Sequence, residues 1–265
     1  MNSVISKDGT HIAYDKLGEG SPLVLVGGAF NTRTFGPNGG LAPLLAEHYT
    51  VINYDRRGRG DSTDTAPYSV GREIDDIQAL IEAAGGSAYV FGISSGAALA
   101  LEAANRGLPI AKLALYEAPF VVDDTRAPVP DDYFERLQAM VASDRRSDAI
   151  RLFMRQGVGV PAVFVAMMRI MPAWSKLKAV APTVIYDAAI VDDYQKGRPL
   201  PTDRWTSVTM PTLVAVGGKS PDWMRHAMSG LAQVLPNAEH RTLEGQTHIV
   251  KPEALAPVLV EFFEG

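Results

Sequence analysis

The sequence predicts an α/β chain built on a mostly parallel sheet, with a helical cap inserted late in the chain. Three observations predict it. Short apolar runs alternate with segments of helical period from the start of the chain to Pro119. That alternation stops at Pro119 and resumes near Ser207. The composition, 46% hydrophobic and 21% charged over 265 residues, suits a core that buries most of its apolar surface without disulfides or metals.

The elements follow in order. Ser3 to Ser6, a Lys-Asp-Gly turn and His11 to Leu17 read as a hairpin, closed by the turn Gly18-Glu19-Gly20. The runs Leu23–Val26, Thr50–Tyr54, Ala88–Phe91 and Lys112–Tyr116 are short and mainly apolar, as expected of strands buried on both faces. Helical patterns separate them over Leu41–Glu47, Val70–Ala84 and Ala97–Arg106, which implies right-handed crossovers. After Pro119 no clear strand is visible. Helical candidates cover Asp131–Ala142, Ser147–Gln156, Ala162–Ile170 and Ala181–Asp193, punctuated by seven prolines from Pro128 to Pro201. The strand Thr212–Val216, the helix Pro221–Leu235, the strand Glu239–Leu243 and a closing helix Pro252–Phe263 complete the chain. The expected division is therefore a core of residues 1–119 and 207–265 with a helical cap at 120–206, a segment too long for a plain loop.

Composition removes several classes of function. There is no cysteine, which excludes a thiolate nucleophile, a disulfide framework and any Cys-ligated metal. The net charge of −5 is spread without long blocks of one sign, and the basic run Arg56-Arg57-Gly58-Arg59 is a poor nucleic-acid footprint. The first residues lack the apolar stretch of a signal peptide, and no run of apolar residues is long enough to span a membrane. The expectation is a cytoplasmic protein acting on something small, with no nucleic-acid or membrane partner. Self-association as a homodimer is left open.

The chemistry centres on Gly92-Ile93-Ser94-Ser95-Gly96. Gly-x-Ser-x-Gly is a weak pattern alone, but here it directly follows one predicted strand and opens a predicted helix. Such a turn lifts a serine hydroxyl above the strand ends and leaves the Ser95 N–H at a helix N-terminus, free for an oxyanion. A Gly/Ser-rich helix cap without chemistry is the bland alternative.

A serine nucleophile needs a base, usually histidine. Of the five histidines, His11 and His48 fall toward the opposite edge of the sheet, His226 lies within a helix and His240 within a strand. His248 follows the strand Glu239–Leu243 in a loop at the carboxyl end of the sheet, on the Ser94 side, where catalytic groups of open α/β sheets collect.

From end to end the chain resembles the α/β-hydrolase superfamily. The matching pieces are Leu23–Gly28, Asp55-Arg56-Arg57-Gly58-Arg59-Gly60-Asp61-Ser62, the Gly92–Gly96 turn and the His248 loop. The resemblance implies the order Ser…Asp/Glu…His, with the acid most often just after the strand here spanning Thr212–Val216. Ser220 occupies that place. Asp222 stands two residues on, but Ser220-Pro221-Asp222 also reads as the first positions of the following helix. The other candidate is Glu117, closing the strand in Leu115-Tyr116-Glu117-Ala118-Pro119, where an unpaired carboxylate would be costly. Tyr116-Glu117-Ala118-Pro119 is similar to the segment that carries the acid in zearalenone lactonases. A structural ion pair from Glu117 to Arg57 or Arg126 is the competing reading.

The resemblance also implies that Ala29, in Gly27-Gly28-Ala29-Phe30, supplies the second oxyanion N–H, with Gly28 as the neighbouring possibility. Asp55–Ser62 reads as a structural turn whose charges pair with one another. Methionines and aromatics of the insertion (Met140, Met154, Met167, Met168, Met171, Phe153, Phe164, Trp174, Tyr186) would mostly pack helix on helix, some lining an apolar pocket.

The resulting expectation is a serine hydrolase that cleaves a carboxylic ester or lactone of a largely apolar small molecule. It would work through an acyl-enzyme on Ser94, with His248 as base, Glu117 as acid, and no metal or organic cofactor. An acyltransferase or lactone-forming cyclase would use the same groups. A non-catalytic small-molecule receptor is a third reading, given footing by Ser220 and by Ile93 beside the serine.

Overall fold

The computed structural model describes residues 1–265. The chain opens with the hairpin β1 (Asn2–Ile5) and β2 (His11–Leu17), followed by β3 (Pro22–Val26), α1 (Pro37–Leu45), β4 (Thr50–Tyr54), α2 (Val70–Ala83), β5 (Ala88–Ile93), α3 (Ser95–Asn105) and β6 (Ile110–Tyr116). Then come α4 (Tyr133–Ala142), α5 (Arg146–Leu152), α6 (Ala162–Met168), α7 (Ala173–Val180) and α8 (Val184–Val191). The chain ends with β7 (Thr212–Gly217), α9 (Asp222–Val234), β8 (Ala238–Leu243) and α10 (Pro252–Glu264).

The eight strands form one sheet in the order β1-β2-β4-β3-β5-β6-β7-β8. β2 pairs antiparallel with both β1 and β4, and every later pairing is parallel. The order reverses between β3 and β5, so the crossovers leave helices on both faces. Alternate residues of a strand point to opposite sides. Thus Leu23 and Leu25 of β3 join one apolar cluster with α1 and α10, while Val24 and Val26 join another with α2, α3 and α9. A third cluster lies within the helices between β6 and β7 and takes in Phe30 from the loop after β3.

Every strand expected from the sequence is present, with ends shifted by one or two residues. The helices between β6 and β7 differ more. The run expected as Ser147–Gln156 is α-helical only to Leu152 and continues as a π-helical turn over Phe153–Val158. Glycines at 157 and 159 remove the side chains that would hold a regular spacing there. A Cβ on Gly157 would meet the Tyr133 hydroxyl at 2.5 Å. Helix α7, between Pro172 and Pro182, was not expected, because its eight residues are too few to show a period. The expected helix Ala181–Asp193 starts as a tight turn over Ala181–Thr183 and becomes α-helical at Val184.

Candidate active site

From Phe91 to Ala100 every residue is buried except Ser94. Ser94 has φ 58° and ψ −130°, and α3 begins at the next residue. A side chain in that region is strained, and the surroundings impose it. A Cβ on Gly92 would lie 2.5 Å from the Gly96 carbonyl oxygen. One on Gly96 would lie 2.3 Å from the Val26 oxygen and 2.6 Å from that of Gly27. Only glycine allows β5 to turn into α3 this tightly and α3 to press on the loop after β3.

His248 and Glu117 meet beside this turn. His248 Nδ1 lies 2.7 Å from Glu117 Oε2. Glu117 is fully buried, and its other oxygen accepts the Gly217 N–H at 2.7 Å and the Ser220 hydroxyl at 2.6 Å. Three donors thus offset the burial of the charge. A hydrogen bond with the carboxylate requires the proton on Nδ1, leaving Nε2 as the acceptor of the ring. Tyr116, the residue before Glu117, donates its hydroxyl to the Thr247 carbonyl at 2.8 Å, so the end of β6 holds the histidine loop at two points. Burial pushes the Tyr116 phenol well above its usual range and keeps it a donor.

The competing acid and the competing partners lie elsewhere. Asp222 is 62% exposed and pairs with Arg225 on its own helix. Helix α9 begins at Asp222, one residue later than the sequence suggests, with Pro221 at the position before it; the Ser220 hydroxyl is committed to Glu117 and caps no helix N–H. Arg57 binds Asp76 and Asp8, and Arg126 donates to the Gln156 and Gly157 carbonyls, so neither pairs with Glu117. His48 faces Glu264, and His226 faces Asp123. Sequence reading missed Gly217, Ser220 and Tyr116 as partners. The signal available was the odd serine at 220.

Ala29, Ser94, Ser95 and His248 line one cavity of about 330 Å³. Gly28 packs behind Ser94 instead: a Cβ there would lie 2.9 Å from Ser94 Cβ and from the Ile93 oxygen. Phe30 follows at φ 62°, with its ring edge-on to Phe153 at 5.4 Å.

Beneath the loop lies a buried cluster of charges. Arg56 is held by both oxygens of Glu73 at 2.7 Å and by Asp187 at 2.6 Å, and it reaches the Gly27 carbonyl at 3.3 Å. Arg59 binds Asp187 at 2.6 Å, Thr183 at 2.9 Å and the Gly28 carbonyl at 2.7 Å. The Ser95 hydroxyl donates to Asp187 at 2.7 Å. Burial pushes the Asp187 carboxyl up, but Arg59 and Arg56 reverse this and hold it below the usual range. The expectation that the Asp55–Ser62 charges pair with one another is therefore corrected. Its arginines reach α2 and α8, and Asp55 and Asp61 pair with Arg33.

The rest of the cavity wall is mostly apolar and comes from the π-helical turn, α8 and the start of α9, with Phe153, Val158, Val191 and Trp223 among its residues. The named methionines of the insertion do not line it. Met140, Met154 and Met168 pack within the helical cluster, and Met167 and Met171 are more than half exposed. Met224 of α9 is the methionine that reaches the cavity. No group of three or more histidine and acidic side chains is placed to hold a metal ion, and no helix is long and apolar enough to cross a membrane.

Comparison with known proteins bears on the family and the fold. A model of the alpha/beta hydrolase family matches residues 23–258. An alpha/beta hydrolase from Sphaerobacter thermophilus is 55% identical over 99% of this chain and 100% of that one, with a TM-score of 0.92. A thermophilic esterase from Thermogutta terrifontis (21% identity over 99% and 97% of the two chains, TM-score 0.74) shares the fold. So does the enol-lactonase from Burkholderia xenovorans (20% identity, both chains covered in full, TM-score 0.72). An uncharacterized hydrolase of Bacillus subtilis, YraK, is 36% identical over 106 residues; the match spans only 38% of either protein.

Proposed function

This chain belongs to the alpha/beta hydrolase family, and on that premise we propose that it is a serine hydrolase of carboxylic esters or lactones. One observation carries the reading. Ser94 and His248 line the same cavity, and the imidazole is backed at 2.7 Å by a fully buried carboxylate, Glu117.

The mechanism follows from the roles these atoms can fill. His248 Nε2 takes the proton of Ser94 Oγ as that oxygen bonds to the substrate carbonyl carbon. The electron pair of the carbonyl moves to its oxygen, which the Ser95 and Ala29 N–H groups receive. Collapse of the tetrahedral species breaks the bond to the leaving alkoxide, which takes the proton from the imidazolium. Glu117 holds the ring in one tautomer and balances its charge while that proton is resident. Water, deprotonated by the same nitrogen, then attacks the acyl carbon; collapse breaks the bond to Ser94 Oγ, which takes the proton back from the imidazolium as the acid leaves.

The helices between β6 and β7 act as a cap over this site. Their apolar contribution to a cavity of about 330 Å³ favours a small, largely apolar acyl or lactone substrate.

A fluorophosphonate probe tests the reading directly. The native protein is expected to take one adduct on Ser94, and Ser94→Ala to lose both adduct and turnover, the latter by about a millionfold. A native protein that takes no adduct and hydrolyses none of a panel of p-nitrophenyl esters and macrolactones would refute it.

A further inference from the structure

The buried ion pair between Arg59 and Asp187 touches both groups assigned to the oxyanion. Arg59 comes from the loop after β4, and Asp187 from α8 in the helical insertion.

A peptide unit is planar and trans, so the carbonyl of one residue and the N–H of the next point in opposite directions. Arg59 Nη1 donates to the Gly28 oxygen at 2.7 Å. That bond fixes the plane of the Gly28–Ala29 peptide and therefore the direction of the Ala29 N–H. Drawing electron density onto the Gly28 oxygen also makes the N–H of the same peptide a stronger donor. Arg56 grips the preceding peptide through the Gly27 oxygen at 3.3 Å.

The second donor is braced from the other end of the same pair. Ser95 is the first residue of α3, where a helix N–H has no acceptor of its own. Its hydroxyl donates to Asp187 Oδ1 at 2.7 Å, and Asp187 Oδ2 accepts from Arg59 at 2.6 Å. One carboxylate thus ties the Ser95 end of the hole to the Ala29 end. Two guanidinium groups offset its charge, so it does not repel an anion forming nearby. Asp187, Ala188 and Val191 also line the cavity, so the helix that carries the brace is one that a ligand touches.

We propose that Asp187 and Arg59 are positioning residues for the oxyanion hole, so that stabilisation of the tetrahedral species depends on the seating of α8 against the core. This rests on the reading of Ser94 as nucleophile.

Three variants test it, with a p-nitrophenyl ester as substrate and two ligands of equal chain length. An alkyl trifluoromethyl ketone adds Ser94 to form an oxyanion; the matching methyl ketone binds without reacting. Asp187→Asn and Arg59→Lys disturb buried charge and can fail to fold, whereas Ser95→Ala removes one hydroxyl, keeps the N–H and leaves every charge paired. Each folded variant is expected to lose about 10- to 100-fold in kcat, less than removal of an oxyanion donor itself. KM is expected to stay within about twofold, as for an interaction made only in the transition state. Trifluoromethyl ketone affinity should fall by the same factor as kcat, and methyl ketone affinity should hold. A folded Ser95→Ala protein with the parent's kcat and trifluoromethyl ketone affinity overturns the proposal, as does a loss that falls equally on the methyl ketone. Amide hydrogen exchange at Ala29 and Ser95 reads the brace without turnover. Faster exchange there in Ser95→Ala supports it even if the parent proves inactive, and that inactivity would count against the assigned reaction alone.

Discussion

Glu117 holds a backbone φ of 51°, in the region that side chains avoid, and it shares that distinction with Ser94 at 58° and Phe30 at 62°. Such conformations cost about 1–3 kcal/mol each and persist where surrounding structure over-determines them. Of the four non-glycine residues at positive φ, Ser94 lines the cavity, Glu117 backs its histidine, and Phe30 follows the cavity-lining Ala29 with its ring against Phe153. Glu117→Gln makes a sharp test. Gly217 N–H and the Ser220 hydroxyl both need an acceptor, so the amide oxygen stays with them and the NH₂ turns to His248 Nδ1. The imidazole must then carry its proton on Nε2, the wrong nitrogen for a base. Turnover is expected to fall by about ten-thousandfold, with the fold retained. Asp222→Asn, at an exposed helix start, should leave kcat within about twofold; steady-state kinetics on both variants decides between them. The carboxylate at 117 was legible because it closes an apolar strand. Its partners were not, since Gly217 and Ser220 lie about a hundred residues away along the chain, and local reading gave Ser220 to a helix cap.

At the scale of elements, the contact of α3 with β3 and β5 sets the geometry of the site. Alanine for glycine inside a helix ordinarily stabilises by about 0.5–1 kcal/mol. Gly96→Ala should reverse that sign, because its Cβ would sit 2.3 Å from a backbone oxygen of β3 that cannot swing aside. Urea unfolding is expected to show a loss of about 1–3 kcal/mol or more. The inner strands were readable because they are largely buried on both faces and their runs are mainly apolar. The helices over the cavity were harder. The α5 pattern passes into a π-helical turn where Gly157 admits the Tyr133 hydroxyl, and a spacing rule sees only the side chains, not the contact. The Asp55–Ser62 loop was misread for a related reason. Its arginines are long enough to leave their own turn, and their partners on α2 and α8 come from distant sequence.

Across the whole molecule, two apolar clusters sandwich the sheet, one of them extending to Ile190 and Val191 of α8, and buried charge adds to the fastening of the inserted helices near the site. The paired carboxylates predict a response to acid. Burial pushes the Asp8 carboxyl up, but hydrogen bonds from Thr10 and Arg57 outweigh it and hold the group at about 2. The arginines around Asp187 likewise keep it below the usual range. A carboxyl depressed in the folded state stabilises it above the ordinary carboxylate pKa and loses that effect as pH falls through the folded value. Thermal midpoints should therefore be flat near neutrality and drop progressively below about pH 4. Asp8→Asn should lower the plateau and flatten the slope, as a midpoint series from pH 7 to pH 2.5 would show; an unchanged slope would remove Asp8 from the account. Because β6 and β7 are adjacent and parallel, Glu117 and Ser220 arrive at one point from separate stretches of chain, their side-chain oxygens 2.6 Å apart. Descent can hand the acid from one strand to its neighbour while the imidazole stays where it is. Two relatives with the same chemistry then need not carry the acid that backs the imidazole in the same aligned column, and a survey that scores only one of those columns would class an intact enzyme as a dead one.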